Sequence, residues 1–187
     1  LTASPNAVVA PAAAGDTNDG TTFPVLTTAN IGSSYTVTPT FSGASRAGEI
    51  CGWIDFDRSG TFTAAEGVCS TFASGATSAP LAWTVPVATS AGPTYARLRV
   101  TYDTNISTAS FNGLFSSGEV EDYLLHIKPV VRVTKALTPA ADTGTFNLSI
   151  GGTNFATAIG NGGTTNFRTV YHTDTPDATV AGNVSTA

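Results

Sequence analysis

From Phe23 onward, apolar and polar residues alternate in short runs punctuated by Gly, Ser, Pro and Asn. That period of two belongs to half-buried strands rather than to helices. Ser34–Phe41 sets Tyr35, Val37 and Pro39 against Thr36, Thr38 and Thr40, with Pro39 marking an edge or a strand end. Glu49–Phe56 carries Ile50, Trp53, Ile54 and Phe56, and Leu81–Val87 puts Leu81, Trp83, Val85 and Val87 on one face. Thr94–Tyr102 sets Tyr95, Arg97 and Arg99 against Ala96, Leu98 and Val100. A loop rich in Gly, Asn and Ser, with Phe111 and Phe115, then leads to a further strand over Gly118–Ile127. Lys128–Pro129 reads as a short hinge, followed by expected strands at Val130–Leu137, Thr145–Ile150 and Asn166–His172.

The expected fold is all-β. An extended lead-in (residues 1–14) precedes a β-sandwich domain of jelly-roll or Ig-like type (15–128) and a smaller β-domain (129–187). The three strands expected after residue 129 are fewer than a seven-strand sandwich needs. The second domain is therefore expected to be partial, either a fragment or completed by a strand from another molecule. The lead-in from Ala3 to Ala14, with Val8 and Val9 among small residues and prolines, is a candidate donor for such strand addition between copies.

Composition strengthens the β reading, because only 11% of the 187 residues are charged, 41% are hydrophobic and none is Met. Eight basic against 13 acidic residues give a net charge of −5 and a pI near 4.7, which disfavours nucleic acid or an anionic membrane as partner. No run approaches the ~20 apolar residues of a membrane-spanning helix.

The densest chemistry lies in CGWIDFDRSGTFTAAEGVC, residues 51–69. Asp55, Asp57, Ser59, Gly60 and Glu66 occupy positions 1, 3, 5, 6 and 12 of a twelve-residue calcium loop. In such a loop alternate short oxygen side chains point inward, glycine permits the sharp turn, the position-7 carbonyl (Thr61) faces the ion and Glu66 closes the shell. Phe62, at position 8, is expected to pack beneath it. The strand-like flank departs from a helix–loop–helix hand. The alternative is a polar β-turn whose Asp and Ser residues bond their own backbone. Cys51 and Cys69 bracket the loop; too few Cys and His accompany them for a zinc site, and the composition suits export, so a disulfide is expected. Asp16, Asn18 and Asp19 form a small oxygen-rich turn that could add a ligand.

Glu119, Glu121 and Asp122 crowd three carboxylates into four residues, a repulsive arrangement unless cations compensate it. Arg97 and Arg99 are the expected partners of Glu119 and Glu121, leaving Asp122 to reach the metal loop or to cap a turn. Two adjacent arginines argue against a paired-carboxylate glycosidase, which needs one raised pKa.

WIDFDRSGTF, YARLRVTYD and GEVEDY, in this order, resemble the GEVED domain of bacterial extracellular proteins over residues 15–128. The lead-in GDTNDG is less acidic than the family often shows. The resemblance implies a secreted β-sandwich-like module of a multidomain surface protein without a catalytic role of its own. After the hinge, VTKAL, GTFNLSIGGT and GNGGTT resemble the prealbumin-like and SpaA-like β-repeats of bacterial surface proteins. Some of those repeats form a Lys–Asn isopeptide bond; Lys135 stands where that lysine would be, but no partner Asn can be assigned, and an ordinary lysine is expected.

His126 and His172 are isolated and belong to no catalytic or zinc motif. Asn105, Asn147 and Asn183 are glycosylation-type sequons that a bacterial source would leave bare. The expectation is a non-enzymatic extracellular structural or adhesive module, stiffened by Ca²⁺ and a disulfide, that works with other domains or copies in a surface protein or filament. The second expectation is a carbohydrate-binding or accessory module of a secreted enzyme, stacking glycans on Trp53, Trp83, Tyr95 or Tyr102.

Overall fold

A computed structural model describes residues 21–41, 44–150, 153–169 and 184–185. The lead-in and its proposed donor segment, the Asp16–Asp19 turn, His172 and Asn183 lie outside these residues. The chain is all-β and divides into two compact units between Ile127 and Lys128.

In the first unit, β1 (Ser34–Val37) pairs antiparallel with β4 (Leu81–Thr84). A second antiparallel sheet has the order β3 (Gly67–Phe72), β2 (Gly48–Ile54), β5 (Gly92–Thr101), β6 (Glu119–Ile127). Alternation assigns the faces. Ile50 and Ile54 of β2, Ala96 and Leu98 of β5 and Ile127 of β6 meet Tyr35, Val37, Leu81 and Trp83 from the β1–β4 layer. That apolar interior between two layers is the sandwich core, and its burial drives the fold. Tyr35 sits wholly inside, its hydroxyl donating to the Pro24 carbonyl at 2.6 Å, and burial pushes its pKa up to about 12. The face expected over Leu81–Val87 stops at Val85, since the strand ends before Pro86 and Val87 is 89% exposed.

The opposite face of the four-stranded sheet is also covered. Cys51, Trp53, Phe62 and Ile106 form a second apolar cluster beneath the residue 55–66 loop and the long β5–β6 connection. That connection is fastened by buried arginines. Arg97 donates to the Phe111 carbonyl at 2.9 Å, and Arg99 to the carbonyls of Ser110, Asn112 and Gly113. The Trp53 Nε1–H reaches the Thr108 carbonyl at 2.8 Å.

In the second unit, β8 (Phe146–Ile150) lies between β9 (Thr153–Ile159) and β11 (Val184–Ser185), while β7 (Val130–Val131) pairs with β10 (Arg168–Thr169). The strand expected over Val130–Leu137 is only β7 and an isolated bridge at Thr134, because the backbone leaves the ladder to bond the glycine-rich 162–165 segment. The β9 strand was not expected, although Phe155, Thr157 and Ile159 alternate. Lys135 carries its Nζ 4.0 Å above the Phe146 ring, a cation–π contact.

Candidate metal centre

Strand β2 delivers Asp55 directly into the loop, and β3 leaves it one residue after Glu66. The Asp55 backbone continues the β2–β5 pairing, its N–H donating to the Tyr95 carbonyl at 3.1 Å. Asp55 and Glu66 are therefore buried where the loop closes, and Asp57 is exposed. One carboxylate oxygen from each of the three lies within 4.8 Å of the others. Positions 1, 3 and 12 of the predicted loop thus converge, as coordination of a single ion requires.

Positions 5 to 8 follow the same plan. The Ser59 hydroxyl stands 3.1 Å from the Thr61 carbonyl oxygen. Adjacent ligands each ~2.4 Å from one ion would be separated by about that much. Gly60 has φ 82°, in the left-handed region that position 6 demands, and Phe62 is buried beneath. The carboxylates also accept backbone N–H groups. Asp55 takes those of Ser59 at 2.9 Å and Gly60 at 3.0 Å; Glu66 takes those of Phe56 at 3.1 Å and Thr63 at 2.9 Å. The Thr63–Glu66 pair is a reciprocal capping box on a 3-10 turn over Ala64–Glu66, readable in the sequence as T-A-A-E.

Electrostatically the loop is short of positive charge. Among the described residues no cationic side chain forms an ion pair with Asp55, Asp57 or Glu66. Burial pushes the Asp55 carboxyl above its ordinary range, partly opposed by its backbone hydrogen bonds. Burial also raises Glu66, against the Thr63 hydrogen bonds that lower it. All-oxygen donors, carboxylates and a backbone carbonyl suit a hard cation such as Ca²⁺. These residues fit the ion.

The neck of the loop is closed covalently. Cys51 and Cys69 are directly opposed on β2 and β3 and form a disulfide. Glu49 approaches their sulfurs, but a disulfide sulfur is no metal ligand.

The carboxylates of β6 are arranged differently from expectation. Arg97 pairs across the ladder with Asp122, donating from Nε and Nη2 at 2.6 Å each, a bidentate contact between largely buried groups. Arg99 faces Val120, and Glu121 and Glu119 stand opposite Leu98 and Val100. The glutamates therefore occupy the face of the sheet opposite to the arginines. Glu121 accepts the Tyr123 hydroxyl. Nothing brings Asp122 to the calcium loop. Sequence reading missed the use of backbone carbonyls as Arg99's partners; its signal was a pair of arginines alternating with core residues on a long strand.

Gly118 explains the glycine that opens the GEVED motif. It has φ 99°, and a Cβ there would lie 1.8 Å from the Val100 carbonyl oxygen. Only glycine lets the β5–β6 connection close onto β5 and begin the acidic strand in register. The family model of the GEVED domain matches residues 49–126. The matched GEVED segment runs from β2 to the penultimate residue of β6, and so contains the Asp55–Glu66 loop, the disulfide and the Arg97–Asp122 pair. No curated protein and no solved structure matches the chain.

The rings considered as a glycan platform are placed mostly inside. Trp53 and Trp83 are buried, and the Trp83 Nε1–H donates to the Glu66 carbonyl at 2.9 Å. Tyr102 is half-buried and carries Arg46 over its ring. Among the described residues no helix is long and apolar enough to cross a membrane.

Proposed function

We propose that this protein is a non-catalytic structural or adhesive module of an extracellular bacterial surface protein or filament, whose first unit is stiffened by one Ca²⁺ and by the Cys51–Cys69 disulfide. The observation that carries the reading is the convergence of the Asp55, Asp57 and Glu66 carboxylates, two of them buried and raised in pKa, with no cationic side chain paired to them among the described residues. Ser59 and the Thr61 carbonyl complete the ligand set. Calcium would supply the missing charge there; the chain's own residues orient the oxygens and shut the loop from below with Phe62. The disulfide suits an oxidising compartment, and the match to the GEVED domain supports a secreted setting. The second unit extends this picture as a further β-module of the prealbumin-like or SpaA-like kind, and its partners would be neighbouring domains or other copies, through strand addition. The two tryptophans are interior, which leaves a stacking platform for glycans with little support.

Terbium luminescence tests the reading. Tb³⁺ replaces Ca²⁺ in oxygen-rich loops and accepts excitation energy from nearby aromatic side chains. The wild-type chain should sensitise Tb³⁺, excess Ca²⁺ should quench the signal, and Asp55→Asn with Glu66→Gln should abolish it. An unchanged signal in the double variant would sink the site.

A further inference from the structure

The loop is held to the beginning of β5 by a side chain that is at none of the proposed ligand positions. Arg58, at loop position 4, has φ 60°, a region that residues other than glycine rarely adopt. From there its Nε donates to the Pro93 carbonyl at 3.0 Å and its Nη1 to the Ala91 carbonyl at 2.6 Å. Gly92, between these two carbonyls, provides the seat: a Cβ built there would lie 2.6 Å from the guanidinium carbon and Nη1. Nearby, the Ser90 N–H donates to the Phe56 carbonyl at 3.1 Å, and the Thr94 hydroxyl donates to the Asp55 carbonyl. Gly92 and Pro93 stand opposite Ile127 and His126 in the β5–β6 register. Those are the last rungs of the ladder before the chain divides at Ile127 and Lys128.

We propose that Arg58 is a positioning residue that latches the cation loop to Ala91–Pro93 at the beginning of β5, so that filling of the loop is transmitted to the end of the β5–β6 ladder at His126 and Ile127. The planar guanidinium fixes the angle between Nε and Nη1, so the fork that meets both carbonyls is pre-organised, and here it does so from the left-handed backbone of position 4. A cation drawing Asp55, Asp57 and Glu66 inward holds that orientation. A left-handed conformation at a residue with a side chain persists where surrounding contacts over-determine it, which is the situation here. The calcium arm of this inference rests on the proposed function; the latch itself does not.

Hydrogen exchange read by mass spectrometry on the full chain separates the two. The variants are Arg58→Gly, which accepts the left-handed backbone without penalty, and Arg58→Lys, which keeps the charge but loses the fork. In the wild type, calcium should slow exchange across 55–61, 90–95 and 124–127. In both variants calcium should still protect 55–61, with Tb³⁺ affinity changed less than about three-fold, while its protection of 124–127 falls about five-fold, the worth of one lost hydrogen bond. Wild-type protection of 124–127 in Arg58→Gly overturns the latch. If calcium leaves 55–61 of the wild type unchanged, the calcium reading fails and the latch is judged in EDTA alone. There Arg58→Gly must raise exchange at 90–95 and 124–127 about five-fold relative to 67–72, and no rise overturns it.

Discussion

Asp55 and Glu66 are carboxylates that burial makes reluctant to ionise. A folded-state pKa above the unfolded value contributes stability that is fully present below the unfolded pKa and lost as pH rises through the folded one. Without a cation, these two groups therefore weigh against the fold at neutral pH, and the proposed Ca²⁺ would offset them there by binding the ionised form. As pH falls, protons compete for the same oxygens, and earlier than for ordinary carboxylates. The melting-temperature difference between calcium and EDTA should thus be large at pH 7.5 and shrink toward pH 5; a difference that grows on acidification would contradict the site. A second prediction concerns packing. Gly118→Ala places a methyl 1.8 Å from the Val100 carbonyl oxygen at φ 99°, so it should lower unfolding stability by roughly 3 kcal/mol or more, read from the urea midpoint. At this scale the loop was legible in the sequence, because its ligands sit within twelve residues and the spacing itself carries the chemistry. The partners of Arg97 and Arg99 were not legible. A shift of one residue in the β5–β6 register would have put the glutamates on the arginines' face. The register is set by the connection over 102–118, whose path onto the sheet depends on carbonyls that no side-chain pattern records.

Strands β2, β3, β5 and β6 form the sheet that carries the loop, and two cross-strand links hold it. The first is the disulfide between directly opposed Cys51 and Cys69. Reducing it should lower the stability of the first unit by about 2–4 kcal/mol, measured by denaturant unfolding with and without reductant after intact-mass confirmation of the bridge. The second is Arg97–Asp122. Arg97 is buried, its guanidinium is held in a bidentate grip, and it lies over the Phe62 ring, 5.4 Å from the centroid. Removing one partner strands the other charge, so Asp122→Ala should cost about 3–5 kcal/mol, while replacing both with apolar residues of similar volume should recover much of that loss. A double-variant loss equal to the sum of the losses at Arg97 and Asp122 taken singly would show that the pair carries no coupling. The elements themselves were mostly readable: alternation found β1, β4 and β5 with their faces and located β6 without the face of its carboxylates. Strand β3 went unread because GVCSTF follows the loop without a second turn signal, and its strand character comes from pairing with β2 rather than from its own pattern.

The chain divides between Ile127 and Lys128, near the hinge that the shift of composition at Lys128–Pro129 suggested. Five strands occur among the described residues of the second unit, more than its pattern suggested: β11, of two residues, is too brief to show a period, and the seven-residue β9 follows a glycine pair that reads as a turn. The three convergent carboxylates and the disulfide all belong to the first unit. The units can be followed separately with an intrinsic probe, since the chain's only two tryptophans, Trp53 and Trp83, are both buried in the first. Tryptophan fluorescence therefore reports the first unit alone, while far-UV circular dichroism reports the strands of both. Calcium at 100 times its dissociation constant adds ~2.7 kcal/mol to a native state that alone binds it, which for a unit of this size raises the melting temperature on the order of 10 °C. The fluorescence transition should move by that amount between EDTA and calcium, and the part of the dichroism change that does not coincide with it should stay in place. A dichroism transition that follows calcium while fluorescence does not would put the cation in residues 128–187 instead of the Asp55–Glu66 loop. No movement of either would remove calcium from the account, leaving the disulfide and the buried arginine as what stiffens the first unit.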